Sequence, residues 1–222
     1  MLKWILRSLG IGIAILVIGL SANGAMGWVD AARDAPALQQ RAAALRAGGK
    51  GPDSLGAERL AILLAVQDPG FYDHAGVDLS TPGAGLTTVT QSVAKRMAFE
   101  DFKPGLRKLR QTTYALSLER RLTKDDILTL FLAHVPMGRA EEGWIEGFHK
   151  GAEVFFGGQP ADIPRQDFIA LTAVMIAPGR LKLAAPDPLL KSRIRRIARL
   201  ADGACAPVDL RDVWLRGCAQ RP

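Results

Sequence analysis

The chain has 222 residues, 48% of them hydrophobic and only 6% aromatic, enough for one domain with a substantial core and short for two. Lys and Arg number 29 against 22 Asp and Glu, a net charge of +7, which favours polyanionic partners: nucleic acid, an anionic membrane surface or a phosphorylated substrate. There is no zinc-finger spacing, RNP-type aromatic strand or basic heptad, so no nucleic-acid partner is expected.

In chain order, Lys3 and Arg7 precede an uncharged run from Ser8 to Val29, rich in Ile, Leu, Gly and Ala. A helix of that length crosses roughly 30 Å of hydrocarbon. Positive charge before the run and Asp30 after it place the remainder outside by the positive-inside rule. A cleaved signal peptide competes with this anchor, since Ser21 to Ala25 offers small residues. The run is long for a signal peptide, which favours the anchor, and either reading exports the domain. Residues 31–56 are Ala/Arg-rich and punctuated by Gly48, Gly49 and Gly51, and are expected to form a short helix followed by a linker.

From Ala57 an amphipathic pattern (Leu60, Leu63, Leu64) leads into a dense polar and aromatic stretch, Gln67 to Lys95. Pro82, Gly83 and Gly85 break the chain within it. Helices are expected over Thr87–Phe99, over Gly105–Leu122, and from an N-cap at Thr123 to the region of Pro136 and Gly138. Three more are expected: around Phe148–Phe156, over Asp167–Ala177 and over Lys191–Leu200. Phe155 and Phe156 read as core rather than as a sugar platform. The run Lys191–Arg199 reads as a solvated basic face or one that touches anionic headgroups. No run alternates long enough to predict a strand, so the class is mainly α.

Taken in order, these segments resemble the peptidoglycan glycosyltransferases of family 51, the transglycosylase domain of class A penicillin-binding proteins and their monofunctional relatives. Gln67, Asp68, Phe71, His74 and Gly76 resemble the family's first motif, whose leading residue is Glu. Gly85, Thr88, Thr90, Gln91 and Lys95 resemble its second. Arg107, Lys108, Gln111, Leu118 and Glu119 resemble its third, with Gln111 at a Glu position. Gly147, Phe148, Ala152, Phe155, Phe156 and Gly157 look like the fourth, and Leu171, Ala173 and Pro178 fit the fifth loosely.

The resemblance implies a lysozyme-like transglycosylase domain over residues 57–190. It would follow an anchor over 1–30 and a linker over 31–56, and precede a basic helix and Cys-containing tail over 191–222. It implies a bacterial inner-membrane protein with its domain in the periplasm, acting on lipid II or a nascent glycan strand beside other cell-wall synthesis proteins. Gln67, Asp68 and Gln111 fall at catalytic positions. Phe71, His74, Thr88, Thr90, Gln91, Lys95, Arg107, Lys108 and Glu119 fall at substrate-binding positions. Lys95 and Arg107 are candidates for the pyrophosphate, ahead of Arg110. His74 reads first as a hydrogen-bonded structural histidine. The histidines at 74, 134 and 149 lack metal-site spacing, so no protein-built metal site is expected; Mg²⁺ or Mn²⁺ would come with the substrate pyrophosphate.

Two departures stand out. The family's base is the Glu of its first motif, and an amide cannot accept that proton at neutral pH. Only ten residues separate His74 from Gly85, where the family carries a longer segment. Both imply reduced or altered activity, with a non-catalytic glycan-binding scaffold as the alternative and a glycan-cleaving enzyme as a third reading. In an oxidising periplasm Cys205 and Cys218 are expected to form a disulfide.

Overall fold

The longest element is a helix, α1 (Leu2–Ala47), of 46 residues, about 69 Å at 1.5 Å per residue. The computed structural model to which it belongs describes residues 2–99, 105–141 and 143–219. The first half of α1 is apolar on every side and uncovered, with Leu9, Ile11, Ile15, Leu16 and Ile18 all exposed. Its most apolar window has a mean hydropathy of 1.9 and is 6% buried, which is long and apolar enough to cross a membrane.

The second half of α1 behaves differently. Ala31, Ala35, Leu38 and Ala42 recur at alternating four- and three-residue spacing and are buried in the domain core. Residues 31–47 are therefore not a short helix ahead of a linker; they continue the apolar helix and wall the domain. Alanine is the strongest helix former, and its small side chain lets a neighbouring backbone come close.

That neighbour is α4 (Leu106–Glu119). A Cβ at Gly27 would stand 2.2 Å from the Arg110 carbonyl oxygen, so only glycine permits the approach. Polar contacts lock the seam. The Arg110 guanidinium donates to Asp30 at 2.5 Å, the Tyr114 hydroxyl to Asp34 at 2.8 Å, and the Ser117 hydroxyl to the Trp28 carbonyl at 2.8 Å. At the far end of α1, Arg46 pairs with Asp126.

The remaining helices are α2 (Ala57–Gln67), α3 (Val89–Ala98), α5 (Lys124–His134), α6 (Phe148–Phe156), α7 (Arg165–Val174) and α8 (Pro188–Ala201). Their starts follow side-chain caps. Thr88 accepts from the Gln91 N–H, which begins α3 two residues later than expected. Thr123 and Asp126 form a reciprocal capping box at α5. Ile127, Leu128, Leu130 and Leu132 of α5 are fully buried, placing that helix at the centre of the core. Phe155 and Phe156 pack against the core, as expected.

One element has no counterpart in the sequence reading: an antiparallel hairpin of β1 (Pro136–Ala140) and β2 (Gly143–Glu146). Its strands are too short, and its bulge near Met137 too disruptive, to leave an alternating pattern.

After α8 the chain folds back as a tail closed by the expected Cys205–Cys218 disulfide. The tail lies against the glycine loop that precedes α3. The N–H groups of Gly83 and Gly85 donate to the carbonyls of Asp209 (2.9 Å) and Leu210 (2.7 Å). A Cβ at Gly85 would stand 2.6 Å from Val213.

Replacing Cys205 and Cys218 by serine should cost about 3 kcal/mol, the loop-closure contribution for a loop of this size. Denaturant unfolding with and without reductant measures it, and an unchanged midpoint would show that the tail is not restrained by the bond.

Three carboxyls, Asp78, Asp126 and Asp212, have depressed pKa values that set the acid response; at Asp212 burial is outweighed by the N–H groups of Gly217, Arg216 and Val208. Burial would raise the Asp126 pKa, but hydrogen bonds from Arg46 and Thr123 hold it below the ordinary value. At Asp78 burial acts the same way and is outweighed by donors from Thr81 and Ser80, which bring it to about 2. A depressed folded pKa contributes stability above the unfolded value of about 4 that is lost as pH falls through the folded one. The melting temperature should hold down to about pH 5 and decline between about pH 4 and 2. Asp126→Asn should remove part of that decline.

Candidate active site

At the end of α2 the chain turns sharply, and adjacent residues face opposite ways. Asp68 is fully buried. Its carboxylate accepts from His74 Nε2 at 3.0 and 3.1 Å and from the Val89 N–H at 2.8 Å. His74 Nδ1 in turn accepts from the Gly76 N–H at 3.0 Å, which fixes the proton on Nε2. Val89 opens α3, so Asp68 also sets a negative charge at a helix N-terminus. His74 is thus a hydrogen-bonded structural histidine.

Behind this joint lies a second buried network. The Thr90 hydroxyl donates to Glu119 at 2.5 Å, and the Lys124 ammonium to the Glu119 carboxylate at 2.9 Å and to the His74 carbonyl at 2.6 Å. The same ammonium sits 4.5 Å from the centre of the Phe71 ring, itself buried. The Thr88 hydroxyl donates to the Gly76 carbonyl at 2.8 Å. Asp68, Phe71, His74, Thr88, Thr90 and Glu119 are therefore brought together, but most of them form the wall rather than the surface a substrate meets.

Gln67 points the other way. It lines two adjoining chambers, of about 220 and 290 Å³, which also share Thr87 and Ile176. The first is bounded by the glycine loop, Val213 and Arg193. The second is bounded by Thr88, Ser92, Lys95, Arg96, Phe131 and Met175. Lys95 and Arg96 continue into a third groove of about 340 Å³, with Phe99, Trp144 and Glu146 on its outer side. Together these make one cleft with Gln67 near its middle and cations along it. Among the described lining residues of the two inner chambers there is no carboxylate and no histidine.

The cleft cations differ in environment. Burial lowers the Arg96 pKa, Glu146 counters it, and the Arg96 Nε–H is buried without an acceptor. Arg193 is 1% exposed, donates to the carbonyls of Ala173 and Val213, and is brought to about 10 by burial and by Arg196. Burial and the charge of Lys95 lower the Lys108 pKa. Lys108 is held at the cleft edge by Leu86 O, Thr87 Oγ1 and Gln91 Oε1 at 3.1–3.3 Å.

Gln111 is not in the cleft. It is 1% exposed, donates from Nε2 to the Gln91 carbonyl at 2.6 Å, and leaves Oε1 buried without a partner. Gln91 is likewise buried, tying Thr112 to Lys108. Arg107 is exposed at the start of α4, outside the lining of the three chambers, and Arg110 belongs to the α1 seam. Arg96, Arg193, Ser92, Trp144 and Glu146 were missed in the sequence. Arg96 and Ser92 had a signal, their places beside and one turn before Lys95 on the same helix; the others are brought in by tail and hairpin contacts that no local pattern announces.

The transglycosylase family model matches residues 53–201, two-thirds of the chain. Penicillin-binding protein 1B of Buchnera aphidicola is 32% identical over 61% of this chain and 19% of its own length. Penicillin-binding protein 1B of Vibrio cholerae is 34% identical over 51% of this chain and 16% of its own. That of Escherichia coli K12 is 29% identical over 51% and 15%. The chain thus spans under a fifth of the length of these relatives. The order of the motifs, the helical fold around the cleft and this match agree: the chain belongs to the transglycosylase family.

Proposed function

We propose that this protein binds a lipid-linked disaccharide or a nascent glycan strand at the outer face of a bacterial inner membrane, anchored by α1, and turns it over slowly or not at all. The observation that carries the reading is the division of labour between Gln67 and Asp68. The residue facing the cleft is an amide, and the adjacent carboxylate is buried with its oxygens engaged. Glycosyl transfer to a sugar hydroxyl needs a group to take its proton, and losing such a base costs about 10²–10⁴ in rate. An amide still donates to and accepts from sugar hydroxyls, so binding survives the exchange.

The charge of the cleft supports a phosphorylated ligand, since Lys95, Arg96 and Arg193 line successive chambers. Mg²⁺ or Mn²⁺ would enter as part of the substrate, carried on its pyrophosphate. Among the described lining residues of the two inner chambers there is no carboxylate to hold such an ion. A scaffold within the cell-wall machinery is the second reading, favoured by the same missing base.

The chain in detergent should bind lipid-linked disaccharide-pentapeptide and extend it barely, if at all. Gln67→Glu should raise extension by about 10²–10⁴, read as polymer on a gel. Ordinary polymerisation by the unaltered chain would overturn the reading. Extension absent from Gln67→Glu, with binding retained, would favour the scaffold.

Gln111→Glu should do the opposite of restoring activity. It would set a carboxylate oxygen against the Gln91 carbonyl in a buried place, costing about 1–3 kcal/mol of stability. Asp68→Asn should cost a similar amount, about 1–3 kcal/mol, by turning a donor toward Val89 N–H or His74 Nε2–H. Denaturant titration of each variant is the measurement. A fall in extension by the Gln67→Glu/Asp68→Asn pair with no loss of stability would make Asp68 a chemical participant.

A further inference from the structure

We propose that the outward face of α8 binds a phosphate group at a site separate from the cleft. Ser192, Arg195, Arg196 and Arg199 fall three, four and seven residues apart, which sets them on one helix face. With Cys218 and Ala219 they line a pocket of about 240 Å³. Cys218 is held there by its bond to Cys205, so one wall is covalently fixed.

Three arginines line this pocket, and none of its described lining residues is acidic. Among the described residues none of the three arginines is ion-paired to a carboxylate; the nearby Asp202 is taken by Arg165 at 2.8 Å. Arg196 donates from Nη1 to the Trp214 carbonyl at 3.1 Å. The Nε–H groups of both Arg196 and Arg199 are buried without an acceptor. A solvated basic face would turn those donors to water, where they would be satisfied. Here two unmet donors on charged groups are buried beside a third cation, a costly arrangement that an anion in the pocket relieves once the side chains turn toward it. Within α8 there is no acidic residue to relieve the repulsion.

The chemistry favours phosphate over carboxylate. One forked guanidinium satisfies a planar carboxylate, whereas a tetrahedral phosphate offers oxygens to several arginines at once. The phosphate comes either from a soluble phosphoryl compound or from a lipid headgroup.

The test uses the full chain in micelles of a phosphate-free neutral sugar detergent, with ¹⁵N-edited spectra of the arginine Nε–H groups. Titrated inorganic phosphate should shift the Arg196 and Arg199 signals saturably. Arg199→Lys keeps the charge but lacks the forked donors and should weaken binding by about tenfold or more. Shifts that rise linearly, or that are the same in Arg199→Lys, would show mere screening and overturn the proposal. A second arm adds phosphatidylglycerol to the micelle and omits free phosphate. Matching shifts assign a lipid headgroup, and their absence beside a saturable phosphate response assigns a soluble source. Thermal melting confirms that Arg199→Lys folds; if it does not, Arg195→Lys on the exposed rim gives the same comparison.

Discussion

A carboxylate with no exposure to water, bonded to an imidazole on one side and to the first amide of a helix on the other, decides where the neighbouring side chains go. Asp68 joins the end of α2 to the start of α3 and to His74. The chain between them is forced into a tight loop whose glycines then accept the C-terminal tail. Turning Asp68 inward turns Gln67 outward, into the middle of the cleft. In the low-dielectric interior such a joint is strong only when every acceptor is met, and the hydrogen bonds around Asp68 meet that condition. The placement of the cleft's central residue is thus a by-product of a structural bond one residue away.

The same logic separates residues that resemble a catalytic motif from residues that meet a substrate. Thr88, Thr90, His74 and Glu119 are spaced as a binding site would be, yet their hydrogen bonds run inward: Thr88 to the Gly76 carbonyl, His74 to Asp68, Thr90 to Glu119, and Lys124 to both Glu119 and the His74 carbonyl. They keep two helices in register so that Lys95 and Arg96 face the opening. A polar cluster in a sequence can serve the site from behind, and burial distinguishes the two roles.

The helices were legible because their signals are local: the Thr123 cap, the glycine at the end of α6, the spacing of Leu and Phe along each face. The disulfide was legible because two cysteines in a domain expected to be exported had little else to do. The role of residues 31–47 was not, because a stripe of alanines looks like filler until the partner helix that needs small side chains is known. The hairpin was hidden by its brevity. Gln111 and Gln67 both stand where the family has Glu, but one is turned into the core and the other into the cleft, and that rotation is not written in motif spacing. Arg193 and the tail that frames it come from more than a hundred residues downstream of Gln67, a distance over which sequence pattern carries no information.

The unbroken course of α1 has a mechanical consequence. Under the proposed anchoring, a helix that runs on from its apolar half into a folded domain would make the membrane the domain's frame of reference. Each residue inserted between the apolar half and the Gly27 seam would lift the domain by about 1.5 Å and swing it about 100° around the helix axis. With α1 in a bilayer, the cleft would be aimed as well as anchored. Its opening would have one compass bearing and one height above the lipid, and a ligand drawn from the membrane would arrive along that bearing.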